Sequence, residues 1–274
     1  MKQLLVLTLL ILVNVTTYAQ EKIKGSKNVT VEAREVAPFN RINIGSDIDV
    51  VLSQGNQLAL EVEADDNLMP SISTVVKDSV LEINLINDIT RAKALKVHVS
   101  VNTPVFILET NNKSNVTATS PLTFDEFYLL AQGKAQLELS VGAAYIDLKL
   151  YDKTETEMII SNNESTKVYT EGSSSINLGL KSKELRATIK DNTNLELSGE
   201  ATNLELNATG KSHFGSKGLS VKTATVGVSE RSETEINVSE QLIISAQNNA
   251  KITIYGNPSY DLTSFKDKAT LYKK

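Results

Sequence analysis

The sequence predicts an all-β protein, a single-stranded β-helix (β-solenoid), and three observations lead there. The first is an internal repeat: between Phe106 and Ile254 one pattern recurs eight times, at spacings of 16 to 22 residues. Short strands recurring at a near-constant interval of this length are the sign of a solenoid, in which each coil buries its apolar side against its neighbours. The second is parity. Apolar and small residues share one side of the extended chain, whereas the residues between them are charged or polar, as in Leu204-Glu-Leu-Asn-Ala. The third is composition: no cysteine, no tryptophan and 5% aromatic residues leave a layered aliphatic core as the source of stability.

In chain order, residues 1–19 read as a cleaved secretory signal. Lys2 gives a positive start, Leu4–Val13 is apolar, and Thr17-Tyr18-Ala19 forms a small-residue cleavage site before Gln20. The apolar run is too short to span a membrane, so no span is expected in the mature chain. Removing Lys2 moves the formal net charge from −5 to −6. A modestly acidic surface argues against nucleic acid and against anionic membranes as partners. The missing cysteines exclude disulfides, thiolate metal sites, cysteine nucleophiles and a lipidated cysteine.

Residues 20–104 form a less regular β region contiguous with the solenoid. Strands are predicted at 29–32, 41–44, 48–52, 58–63, 80–85 and 95–101, separated by turns such as Gln54-Gly55-Asn56. A solenoid end exposes unpaired strand edges, so this region is expected to begin the stack and to cap it. Residues 105–258 are the repeat coils.

The repeat aligns on Phe106, Phe127, Ile146, Thr166, Leu185, Leu204, Val226 and Leu242. Six residues on comes a turn former: Asn112, Gly133, Asp152, Gly172, Asp191, Gly210, Ser232 or Asn248. Eight on, every residue is small, which suits the inside of a tight corner. One coil departs from the pattern: Glu230 falls in an inward column between Ala208 and Ala246, and a bulge or shifted corner is expected to let it out. Residues 259–274 read as a tail, because Pro258 cannot continue a ladder and the Lys/Asp-rich segment after it discourages end-to-end stacking.

The N-terminal half carries a more specific pattern. Gly25-Ser26-x-Asn28-Val29 is followed by Arg34-x-Val36-x-x-Phe39, by Asp49-Val50-x-Leu52-x-Gln54-Gly55, and by Ala64-Asp65-Asp66-Asn67-Leu68-Met69-Pro70. With the closing Tyr255-Gly256-Asn257-Pro258, these segments resemble the autotransporter-adhesin head, or GIN, domains of exported Bacteroidetes proteins. The chain departs from the family pattern at Lys27, where a second glycine is usual, and after Pro258, where Thr263-Ser264-Phe265-Lys266 replaces a Ser-Gly-Gly stretch. The resemblance implies a right-handed β-helix without a recognised catalytic set.

Candidate chemistry is sparse. Gly210-Lys211-Ser212 mimics the end of a phosphate loop, but Glu205 stands where its first glycine belongs and no helix follows. Ser212 and His213 have opposite parity, so they cannot pair as nucleophile and base. His98 and His213 are the only histidines, and no metal site or cofactor is expected. Asp65 and Asp66, near Glu63, read as a turn with side-chain caps; paired carboxylates there could also bind Ca²⁺ or act as a glycosidase pair. Tyr128, Tyr151 and Tyr169 point outward and could stack on sugar rings, but they fall at different offsets of the repeat.

The expected function is a non-enzymatic, exported, adhesin-like scaffold that meets a cell-surface glycan or protein at the periplasm, the cell surface or beyond. Two alternatives stand beside it: a polysaccharide lyase or hydrolase using the N-terminal carboxylates, and a passive envelope structural protein.

Overall fold

The computed structural model describes residues 22–274, apart from the side chain of residue 162. The segment read as a signal peptide lies outside the described residues.

In chain order the strands are β1 (Lys22–Lys24), β2 (Val29–Arg34), β3 (Arg41–Ile44), β4 (Asp49–Gln54), β5 (Ala59–Asp65), β6 (Ile72–Lys77), β7 (Val80–Leu85), β8 (Asp88–Arg91), β9 (Leu95–Val101), β10 (Val105–Thr110) and β11 (Asn115–Ala118). They continue with β12 (Leu122–Ala131), β13 (Gln136–Asp152), β14 (Glu155–Gly172), β15 (Ser175–Ile189), β16 (Asn194–Ala208), β17 (His213–Val228), β18 (Glu233–Ala246), β19 (Lys251–Tyr255), β20 (Ser259–Phe265) and β21 (Thr270–Lys273). A 3-10 segment spans Asp66–Ser71. From β10 onward each strand pairs in parallel with its counterpart one coil later, giving a β-solenoid of about nine turns. Each coil has two faces. One carries Phe106–Thr110 and its equivalents, the other Asn115–Thr117 and its equivalents.

The two faces meet at a corner built from one backbone conformation. Asn112, Gly133, Asp152, Gly172, Asp191, Gly210, Glu230, Asn248 and Asp267 all have positive φ, from 58° to 111°. They are spaced 18 to 21 residues apart, a tighter repeat than the sequence alignment suggests. The hydrogen-bond ladder runs through the corner: Lys153 N–H donates to the Gly133 carbonyl at 2.9 Å, and Lys211 N–H to that of Asp191 at 2.6 Å. These bonds carry the inter-coil ladder around the bend.

This corner corrects the alignment of one coil. Leu204 pairs with Ala224 and Leu206 with Val226, two residues away from the sequence-based alignment. Val228 fills the inward column between Ala208 and Ala246, whereas Glu230 sits exposed at the corner with φ 64°. A two-residue slip preserves side-chain parity, so inside and outside are unchanged; apolar alternation is blind to it, and Glu230 in an inward column is its one sign in the sequence. The expected shifted corner is present, and Ser232 belongs to the small buried column rather than to the turn.

The N-terminal strands begin and cap the stack, but not in sequence order. β3 and β4 pair beneath β10 and β11, and β7 and β9 pair beneath β3 and β4. The chain thus lays down one coil, builds the end below it, and crosses back over that coil through residues 102–104. β5 and β2 add antiparallel strands on one face and β6 on the other. The 3-10 segment joins the two faces across the end and buries Leu68 and Met69 there with Phe39 and Ile72. The six strands predicted in this region are present. β6 and the β1–β8 pair were not foreseen, because their alternation is weak.

At the other end residues 259–274 are more than a tail. β20 pairs in parallel with β18, β21 with β19, and Asp267 repeats the corner. Pro258 lies between β19 and β20, at the bend opposite that corner, where it costs no ladder bond. The core is a set of axial ladders, with a stack of Phe106, Phe124 and Phe127 (ring centroids 5.0–6.2 Å apart) near its N-terminal third. Thr156, Ser212 and Thr234 keep buried hydroxyls without a hydrogen-bond partner.

Candidate functional site

The Asp65–Asp66 pair belongs to the N-terminal cap. Asp65 is fully buried and accepts three backbone N–H groups, from Lys27 at 2.9 Å, Lys93 at 3.0 Å and Ala94 at 3.1 Å. Burial opposes its ionisation, but these three donors outweigh it and hold the carboxyl below the usual aspartate range. Asp66 accepts from the Ser26 hydroxyl at 2.5 Å and Asn28 Nδ2 at 2.8 Å, and these bonds likewise lower its pKa. Asn67 closes the latch, accepting from Ser26 N–H at 2.7 Å and donating to the Lys24 carbonyl at 2.9 Å.

The Gly25-Ser26-x-Asn28 and Asp65-Asp66-Asn67 segments are therefore each other's partners. A Cβ on Gly25 would lie 2.0 Å from Asp65 Oδ2. Lys27 adopts φ 71°, a conformation natural to glycine. Arg34 acts in the same cap, donating to the Ile72 carbonyl at 2.7 Å and the Met69 carbonyl at 3.2 Å. His98 faces outward, 2.9 Å from Glu63. Among the described residues no group of three or more His, Cys, Asp or Glu side chains is placed to hold a metal ion.

The tyrosines lie on the face that carries Phe106–Thr110. Tyr151 and Tyr169, at different repeat offsets, are brought together with ring centroids 5.7 Å apart. The Lys190 ammonium sits 5.0 Å over the Tyr169 ring and donates to its hydroxyl at 2.9 Å, which raises the lysine pKa. The Tyr169 hydroxyl in turn donates to Glu171 at 2.5 Å. Tyr128, one to two coils nearer the cap, donates to Glu126 at 2.6 Å, and that bond raises its pKa.

Tyr145 adds a fourth ring: it pairs directly opposite Glu126 and is 57% exposed. Tyr145 and Lys190 were not read as site residues. The signal was present but diagonal, since Lys190 follows Tyr169 by 21 residues and Tyr151 precedes it by 18, about one coil each way. The columns beyond this patch on the same face are polar and cross-linked between coils. Thr223 donates to Asn203 at 2.6 Å, Asn203 to Glu184 at 2.5 Å, and Arg186 to Glu205 at 3.2 Å. The arrangement is an open lattice of outward side chains about one strand spacing, ~4.8 Å, apart from coil to coil.

A family model described as "Putative auto-transporter adhesin, head GIN domain" matches residues 38–159 and again 153–258. Solved structures of similar fold include a putative adhesin from Parabacteroides distasonis (19% identity, TM-score 0.66, covering 93% of this chain and 98% of that one). A putative adhesin from Parabacteroides merdae is similar at 17% identity and TM-score 0.66, covering 93% and 100% of the two chains. A putative lipid binding protein from Parabacteroides distasonis is similar at 16% identity and TM-score 0.59, with the same coverage of 93% and 100%. No curated protein matches the chain.

Proposed function

Because the chain belongs to the auto-transporter adhesin, head GIN domain family, we propose that it is an exported, non-enzymatic scaffold that binds a cell-surface glycan through one face of its solenoid. The supporting observation is that Tyr128, Tyr145, Tyr151 and Tyr169 share one outward face, the last two in contact with each other and Tyr169 with Lys190, beside columns of Asn, Thr, Gln and Glu. Aromatic faces flanked by donors and acceptors suit sugar rings, whose C–H faces stack on π-systems while their hydroxyls take hydrogen bonds. The carboxylates of an alternative hydrolase, Asp65 and Asp66, are already saturated by cap hydrogen bonds, which leaves them poor acid–base groups.

A polysaccharide panel read for both retention and product release tests this reading. Retention without release is expected, lowered at least about tenfold in Tyr128→Ala/Tyr145→Ala/Tyr151→Ala with the melting curve unchanged. Release of oligosaccharides by the parent, abolished in Asp65→Asn/Asp66→Asn, would establish an enzyme instead. Export carries its own check. The mature protein from the native host is expected to begin at Gln20, without attached lipid, and recovery of intact Met1 would refute it.

A further inference from the structure

The two ends of the rod are finished differently. At the N-terminal end the 3-10 segment and the antiparallel strands β2, β5 and β6 cover the core. Among the described residues β20 pairs only with β18 and β21 only with β19 at the C-terminal end, so each has one edge without a strand partner, as do the antiparallel edge strands β2 and β6 at the other end. The inward columns also present apolar side chains there that no other described residue covers. Tyr260 follows Leu242, Leu262 follows Ile244 and Phe265 follows Ala246, and exposure along those columns rises from 0% to 46%, 47% and 38%. Ala269 and Leu271 offer a partly buried apolar strip on the other face.

We propose that this end is a homodimer interface, in which a second copy of the chain joins through its own β20 and β21 edges. A two-fold axis through the middle of β20 sets the strand antiparallel to its copy. With the axis between Thr263 and Ser264, Leu262 lies opposite the second copy's Phe265, and Asp261 opposite the second copy's Lys266. Apolar thus meets apolar and each carboxylate meets an ammonium, twice over by symmetry. Thr263 is the bulged residue of β20, which is why Leu262 and Phe265 both face inward despite their odd spacing. Because the two-fold axis pairs this end with itself, the interface is used up in the dimer and the association closes at two copies. The pair doubles the number of tyrosine-bearing faces on one particle, so any surface ligand they bind is held with avidity.

The test is sedimentation equilibrium on the mature chain. The expected parent mass is twice that of the monomer. Leu262→Asp/Phe265→Asp should give a monomer that keeps the parent's β-rich circular dichroism and a cooperative melt, with a midpoint that, unlike the parent's, does not depend on protein concentration. Asp261→Lys and Lys266→Asp should each weaken the dimer at least tenfold, and the double swap should restore it. Val31→Asp/Val75→Asp, at the capped end, should leave it intact. A parent still monomeric at about 100 µM, which corresponds to less than about 5.5 kcal/mol of association, overturns the proposal; so does a dimer that survives Leu262→Asp/Phe265→Asp or fails to recover in the double swap.

Discussion

Glu230 occupies a corner that its neighbours fill with Gly, Asp or Asn, and it holds φ 64° without the local hydrogen bonding or the missing Cβ that makes this conformation cheap. Replacing it with glycine is expected to raise stability by about 1 kcal/mol, read from the urea midpoint. Gly210, one coil earlier in the same column, predicts the opposite sign. A Cβ there would approach the Asp191 carbonyl to 2.6 Å, so Gly210→Val should lower stability by about 2–3 kcal/mol. The latch gives a pH prediction. The folded pKa of Asp65 and Asp66 lies below the unfolded value of about 3.9, so their contribution is full above that value and is lost as pH falls through the folded one. Thermal melts between pH 7 and pH 2 should show the loss at the acid end, and Asp65→Asn should have a lower melting midpoint at pH 7 with a shallower acid dependence. A mutant melting like the parent at every pH would contradict the latch.

At the scale of one strand, the two sides of β16 should respond to charge in opposite ways. Leu206 is fully buried between Ala187 and Val226, and Leu206→Asp would place an unpaired carboxylate in the stack at a cost of several kcal/mol. Glu205, beside it, forms only an exposed ion pair with Arg186, so Glu205→Lys should stay within about 0.5–1 kcal/mol. Equal shifts in the melting midpoints of the two variants would refute the register. That inside–outside assignment was legible in the sequence, because alternation is a property of neighbouring residues. The identity of the facing residue was not: Val226, rather than Val228, covers Leu206, and only pairing between coils decides that.

For the whole molecule, stability is close to a sum over coils and their contacts with the next coil, as in other quasi-one-dimensional folds. Excising 192–210 joins Asp191 to Lys211 at equivalent corner positions and should leave a cooperatively folded rod shorter by about 4.8 Å in X-ray scattering. Removing 192–200 takes out roughly half a coil, throws every later column out of register, and should abolish the cooperative melt. If both deletions fold equally well, the coils are not the unit of the structure.

The sequence by itself determined the all-β class, the pitch of the repeat, which side chains face inward, and the family, whose most specific motifs prove to hold the cap together: Gly25, Ser26, Asn28, Arg34, Asp65, Asp66 and Asn67 bind one another or the 3-10 segment. These features are short-range periodicities or fixed local strings, and they survive projection onto one dimension. Only the tertiary structure decided that Glu230 takes the corner, that the coil of β3 and β4 lies between those of β7–β9 and β10–β11, that Tyr151 and Tyr169 touch, and that residues 259–274 add a further coil. Each depends on how residues about 20 apart pair through backbone hydrogen bonds. A slip of two residues in that pairing keeps every apolar side chain inside, so hydrophobic patterning is blind to it, and the register is settled by the ladder and its corners.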